Sequence, residues 1–348
     1  MIKNKMTQQR QWIWSLCLVF TLAGVTHLFA EPPRGKPVTP EPEELAAMQA
    51  LTKNLKGKII WSTSRDGNHD IYIMNVDGTD MKPLTHGPKT DWYSRFSPDG
   101  KRVIFTRSKI DWTIETDANF PERWDTWCIN SDGTDEKILI PNSTWANWTR
   151  DGKWIIYSRG PKVFRCNPDG TGESLLVDGD KDLKGALVQH PSLSDDGQFL
   201  ALTLRGSGRE TGILNLKTHH YFTSGGGCQF SFFPNSHRCI RVNETGLGGT
   251  SIFAFELNAD GTHGKIDDGK IEGKSIVFMD LPGRRSHEYF PRLSPKGDYL
   301  IWCATQRGHD HDLADYEIQL WKIGDPVEKS ARLTYHTGND RWPDIYLE

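Results

Sequence analysis

Cysteine is scarce in this 348-residue sequence, with six in all and five beyond residue 30: Cys128, Cys166, Cys228, Cys239 and Cys303. The odd count, the irregular spacing and the lack of any Cys-x-x-Cys pair argue against a disulfide framework and a paired-cysteine zinc site. At most one disulfide is expected, and cysteines inside strand-like runs act as small hydrophobes. A charge of one sign is also missing: 42 Lys and Arg face 45 Asp and Glu, so no nucleic-acid footprint is expected. Gly-x-Ser-x-Gly elbows, phosphate-binding loops and dinucleotide fingerprints do not occur, which removes the commonest nucleophile and nucleotide signatures. After residue 30 no apolar run is long enough to span a membrane.

The first thirty residues differ from the rest. Lys3, Lys5 and Arg10 precede an apolar stretch from Trp12 to Ala30, after which the chain turns polar and Pro-rich. A basic n-region, an apolar h-region and a closing small residue read as a secretory signal over residues 1–30. Leu28 is larger than a cleavage site prefers, so an uncleaved anchor is the alternative and the one expected route to a membrane. A leader, 31–56, follows. Within it Glu43 to Leu55 places Leu45, Met48, Leu51 and Leu55 on one side of a short helix, with Thr39 and Pro42 at its start.

The remainder is rich in Gly, Pro, Trp and Asp and carries an internal repeat. Phe96-Ser97-Pro98-Asp99-Gly100-Lys101 returns as Trp148-Thr149-Arg150-Asp151-Gly152-Lys153, Leu193-Ser194-Asp195-Asp196-Gly197-Gln198 and Leu293-Ser294-Pro295-Lys296-Gly297-Asp298. Phe233-Pro234-Asn235-Ser236 is a degenerate copy. A second phrase, Asn-x-Asp-Gly-Thr, runs in step at 75–79, 130–134, 167–171 and 258–262. Asp-Gly favours tight turns because Gly accepts positive φ while Asp bonds the local backbone. Two turn phrases in fixed order between period-two apolar runs describe a four-stranded meander. Second strands are expected near Trp61, Phe105, Tyr157, Leu202, Ile240 and Trp302. Asp340 to Tyr346 resembles the strands before each turn phrase and would complete the first blade, removing exposed edges. The expectation is an all-β, six-bladed propeller over 57–348.

These repeats resemble those of TolB-type propellers. TolB itself carries an N-terminal α/β domain, whereas only 31–56 lie between the expected signal and the first blade here. The resemblance implies that the loops linking second to third strands share a face with the loops leading into each innermost strand. It also implies that sites gather in the axial mouth of that face. Those loops collect Arg65, His69, Arg107, Arg159, Gln189, His190, Arg205, His287, Glu288 and Arg307 as candidate ligand-binding residues. Recurrent Arg suits an anionic ligand, unless each Arg is a repeat feature that pairs with the Asp of its own turn. His309, His311 and Asp312 stand within a His-Asp-His-Asp run and are candidate ligands for a divalent metal, the one cofactor the sequence suggests. The long insertion from Lys109 to Trp127 reads as a lid or partner contact. Trp61, Trp92, Trp148, Trp154, Trp302 and Trp342 read as packing between blades, and Trp112, Trp124 and Trp145 as sugar-stacking platforms.

The leading expectation is an exported, monomeric, non-catalytic binding module in the periplasm or outside the cell, with an envelope or extracellular protein as partner. The alternative is a lyase acting on acidic oligosaccharides. It rests on a resemblance to oligogalacturonate lyases, also propellers, which hold a metal with His and Gln beside the innermost strands. Gln189, His190 and His287 fall in comparable places, but Val188 stands where a second His is expected, and six blades replace seven. That chemistry requires a base for the proton α to a uronate carboxylate and a cation for the resulting charge.

Overall fold

A computed structural model describes residues 32–225, 227–244, 246–266, 277–306 and 310–348. Six antiparallel sheets of four strands each form the blades of a propeller. Their innermost strands are Asp340–Leu347, Lys89–Phe96, Thr144–Trp148, Leu187–Leu193, Cys228–Phe232 and His287–Leu293, for blades one to six. The second strands are Gly57–Thr63, Arg102–Asp111, Ile155–Arg159, Phe199–Arg205, Arg238–Asn243 and Tyr299–Thr305, where the repeats place them. The C-terminal strand pairs antiparallel with Gly57–Thr63, so blade one holds both ends of the propeller sequence and the ring closes. All five cysteines beyond residue 30 are free and buried.

The leader contains a helix, Pro42–Thr52, opened by a reciprocal capping box between Glu41 and Glu44, with Pro42 at its first turn. Met48 and Leu51 pack on the core cluster that holds Leu320 and Leu333 of blade six. Upstream, Val38 donates its N–H to the Tyr335 carbonyl and Gly35 donates to Arg65. The leader thereby bonds to both sides of the seam where blade six meets blade one.

One irregularity recurs in every blade. The ladder between innermost and second strands slips at one equivalent place in each blade, with a further slip near Lys89 in blade two, and the residue at the shared slip has a positive φ: Tyr93, Trp145, His190, Gln229, Phe290 and Trp342, between 52° and 61°. Left-handed backbone is costly for such large residues, and β-bulges re-aim the side chains they carry. Here they close the axis. The Trp145 ring centroid lies 4.2 Å from His190 and 5.0 Å from Tyr93, and Trp342 lies 4.2 Å from Phe290 and 4.9 Å from Tyr93. Gln229 fills the sixth position and accepts the Phe290 N–H at 2.6 Å. The packed ring divides the axial channel into two mouths.

Candidate functional site

The mouth on the face of the second-to-third-strand loops is covered by the long insertion of blade two. Between Arg102–Asp111 and Trp124–Asn130 the chain forms two short 3-10 turns, Glu115–Asn119 and Pro121–Arg123, over the axis. Trp112 stacks on His69 with centroids 5.6 Å apart, and Thr113 exchanges hydrogen bonds with the Thr90 hydroxyl. Asn119 accepts from Gln189 at 3.0 Å, and Ala118 is buried in the core cluster containing Trp92, Trp124 and Trp145.

Glu115 is the centre of this lid. Its Oε2 accepts from Trp342 Nε1 and from Arg341 Nη1, each at 3.1 Å, and its Oε1 lies 3.1 Å from His311 Nδ1. Its backbone N–H donates to the Asp312 carboxylate. Arg341 Nη1 is also 2.9 Å from Asp312 Oδ1 and 2.7 Å from the His311 carbonyl oxygen. Burial works against the Glu115 charge, but His311 and Arg341 outweigh it and draw its pKa down to about 2. His69 and His190 are held neutral, well below the ordinary histidine range, first by burial and then by nearby cations such as Arg341 and Arg205. Glu288 is pushed up to about 8 by burial, with one oxygen accepting the Leu281 N–H at 2.8 Å.

The remaining candidate residues are engaged within their own blades. Arg107 forms a bidentate pair with Asp91 at 2.6 and 2.7 Å and also reaches Glu136. Arg65 pairs with Asp340 at 3.4 Å while lying over Trp61 and Tyr72. Arg159 pairs with Glu173, and Arg205 donates to Gln189 Oε1 at 3.1 Å. In blades one, two and four an arginine in or just after the second strand thus meets the acid or amide near the start of the innermost strand. His190 sits in the axial ring, bonded to Thr203 through Nδ1, and His287 pairs with Thr305 at the outer start of its strand. Arg307 and His309 lie outside the described residues. His311 and Asp312 face Glu115 and Arg341, and among the described residues no group of three or more His, Cys, Asp or Glu is arranged around a metal-sized position.

Two tryptophans depart from expectation. Trp124 and Trp145 are fully buried, Trp145 within the axial ring, so neither is a stacking platform. Trp112 is half-buried against His69. The contact between Glu115 and Arg341 and the left-handed bulge in each innermost strand were not anticipated from the sequence. Where a full turn phrase is present, the bulge lies three residues before its first position, as Tyr93 before Phe96 and Phe290 before Leu293.

The lid face also carries exposed apolar side chains. Ile110 and Phe120 of the insertion, Leu247 of the blade-five loop and Leu313 of the blade-six loop are 57, 48, 70 and 56% exposed.

No protein-family model matches the chain. The chain is similar to dipeptidyl-peptidase 5 of Porphyromonas endodontalis, 22% identical over 309 residues, covering 76% of this chain and 38% of that one. It therefore spans less than two-fifths of that relative's length. Among solved structures it is similar to the putative TolB from Agrobacterium tumefaciens, at TM-score 0.51 and 13% identity, covering 83% of this chain and 98% of that one. A nidogen/laminin complex contains a chain similar at TM-score 0.52 and 12% identity, with the same two coverages. The chain has the TolB-like propeller fold. Identities this low carry the fold and no activity.

Proposed function

We propose that this chain is an exported, non-catalytic interaction module that binds a protein partner through the lid face of its propeller. The observation that carries the reading is the exposure of Ile110, Phe120, Leu247 and Leu313 on loops of one face, around a mouth already filled by the chain's own Glu115. Exposed apolar side chains rimmed by polar ones favour a macromolecular partner over a buried small ligand. One structural neighbour comes from a complex of two proteins, which agrees with a propeller serving as a docking platform. Residues 1–30 are read as the export signal, 31–56 as a leader and 57–348 as the propeller, with the periplasm or the cell exterior as location and a monomer as the working state.

The lyase reading asks His190 and Gln189 to hold a metal within reach of substrate. His190 instead packs between Trp145 and Trp342 beneath the lid, and Gln189 bonds Asn119 and Arg205. No observation favours that reading over docking.

A photo-crosslinking residue placed at Phe120 tests the proposal in cells that export the protein. The expected result is one discrete adduct that is lost on Leu313→Asp and is not formed from the same crosslinker at Leu175, on an outer strand of blade three. Equal labelling from Phe120 and Leu175 would remove the basis for the lid face as the docking surface.

A further inference from the structure

The mouth on the opposite face, among the Ser-Pro-Asp-Gly turns, is built differently. Two residues beyond each bulge, the innermost strands place Arg95, Asn147, Ser192, Ser231, Arg292 and Asp344 at one level. They pair with Ile104, Ile156, Ala201, Ile240, Ile301 and Ile60, the equivalent position in each blade. All except Arg95 line a cavity of about 190 Å³ that opens between the turns. Arg150 borders it as a strap: its guanidinium meets Asp195 at 3.0 Å and the carbonyl oxygens of Phe232 and Pro295 at 3.0 and 3.1 Å.

The charges at this mouth do not balance. Arg150 is matched by Asp195. Arg292 Nε lies 3.4 Å from Asp344, whose other oxygen accepts the Phe96 N–H at 2.9 Å. Arg95 is left over. Its guanidinium lies 3.9 Å over the Tyr93 ring and donates through Nη1 to the Ser94 carbonyl oxygen. Its Nε has no partner, nor has the Ser94 hydroxyl, and among the described residues no carboxylate lies within ion-pair distance of it. Burial, and then Arg292, lowers its pKa to about 10 against the opposing pull of Tyr93 and Asp344. Three guanidiniums, that of Arg95 buried behind the cavity wall, therefore stand against two carboxylates at this end of the axis. A buried charge is costly until a counter-charge joins it, and a planar guanidinium is suited to oxyanions.

We propose that this cavity binds a small oxyanion, a carboxylate or a phosphate, gripped by Arg292 with Asn147, Ser192 and Ser231 and neutralising the excess charge of Arg95. The site lies across the aromatic ring from the lid face, so it is independent of the docking reading. All six residues of this level are polar or charged without any repeat rule demanding it, since the bulge level above is mostly aromatic.

Calorimetric titration of the purified chain with inorganic phosphate, and separately with acetate, tests the proposal at constant ionic strength in chloride. At least one anion should bind saturably at one site per chain, with affinity falling tenfold or more in Arg292→Gln and in Arg95→Met. Tighter binding of phosphate assigns a phosphate-bearing ligand, and tighter binding of acetate assigns a carboxylate. Arg95→Met removes an unpaired buried charge, so its melting temperature in chloride should match or exceed that of the unaltered chain. This would show that lost binding is not lost folding. Should that variant fail to fold, the partly exposed Arg292→Gln carries the test alone. Absence of saturable binding with both anions, or unchanged affinity in the folded variants, overturns the proposal.

Discussion

Removing the Glu115 carboxylate leaves the Trp342 indole N–H and the Arg341 guanidinium facing a neutral group in a water-poor mouth. Breaking a buried ion pair from one side costs about 3–5 kcal/mol, and Arg341 retains Asp312, so Glu115→Gln should cost roughly 2–3 kcal/mol. Chemical denaturation would read this loss directly. The same residue sets a pH dependence. Its pKa is depressed on folding from 4.5 to about 2, so its contribution is complete above pH 4.5 and disappears as pH falls towards 2. By the ordinary conversion of pKa shift to free energy this is about 3 kcal/mol. His69 and His190 add an earlier loss. Because their pKa values drop on folding, the unfolded chain takes up protons first as pH falls through 6.5, and stability declines with it. Denaturant midpoints measured from pH 7 down to 3 should fall in both ranges for the unaltered chain. Glu115→Gln should make the lower limb shallower, because the turn aspartates whose pKa values are also lowered keep part of it, and leave the upper limb unchanged.

At the scale of elements, the bulged innermost strand is the unit that the fold repeats. Its ring of large side chains forms the barrier between the two mouths, and Trp145→Ala should cost about 3–5 kcal/mol through lost burial and the cavity left behind. Equilibrium unfolding checks that figure. A cost below 1 kcal/mol would mean that neighbouring rings collapse into the space. The turn phrases carry a second device. Where most copies have Pro, blades three and four have Arg150 and Asp195, and these two side chains meet at 3.0 Å. A double-mutant cycle on the pair should return a coupling of about 0.5–1 kcal/mol, the size expected for a partly exposed pair. The strands and turns were legible because period-two apolar runs and Asp-Gly turns are local signals. The positive φ at Tyr93 or Trp342 was not, because a bulge depends on the register of the next strand. Likewise, the recurrent arginines were visible, but the partners of Arg107 and Arg65 required the sheet to be assembled.

For the whole molecule, closure joins the two ends of the propeller sequence. Asp340–Leu347 supplies the innermost strand of blade one, and the leader bonds Arg65 on one side of that seam and Tyr335 on the other. Deleting 340–348 should therefore open the ring. The expected result is a chain without cooperative unfolding, since the edge of Gly57–Thr63, the Glu115 contacts with Arg341 and the Trp342 place in the axial ring are lost together. The closing strand was readable from its likeness to the others. The lid was readable only as an unusually long insertion, because nothing local marks Glu115 as the residue that reaches Arg341, 226 positions away.

The claim on which the rest depends is that the lid-face mouth is shut by the chain's own insertion. Amide hydrogen exchange at Thr113 and Glu115 tests it most directly, because these N–H groups donate to the Thr90 hydroxyl and the Asp312 carboxylate. Exchange at neutral pH should be slowed about 30- to 150-fold, as roughly 2–3 kcal/mol of local stability requires, and should speed up in Glu115→Gln. Exchange at the free-chain rate in the unaltered protein would contradict the account and leave the mouth open to a ligand.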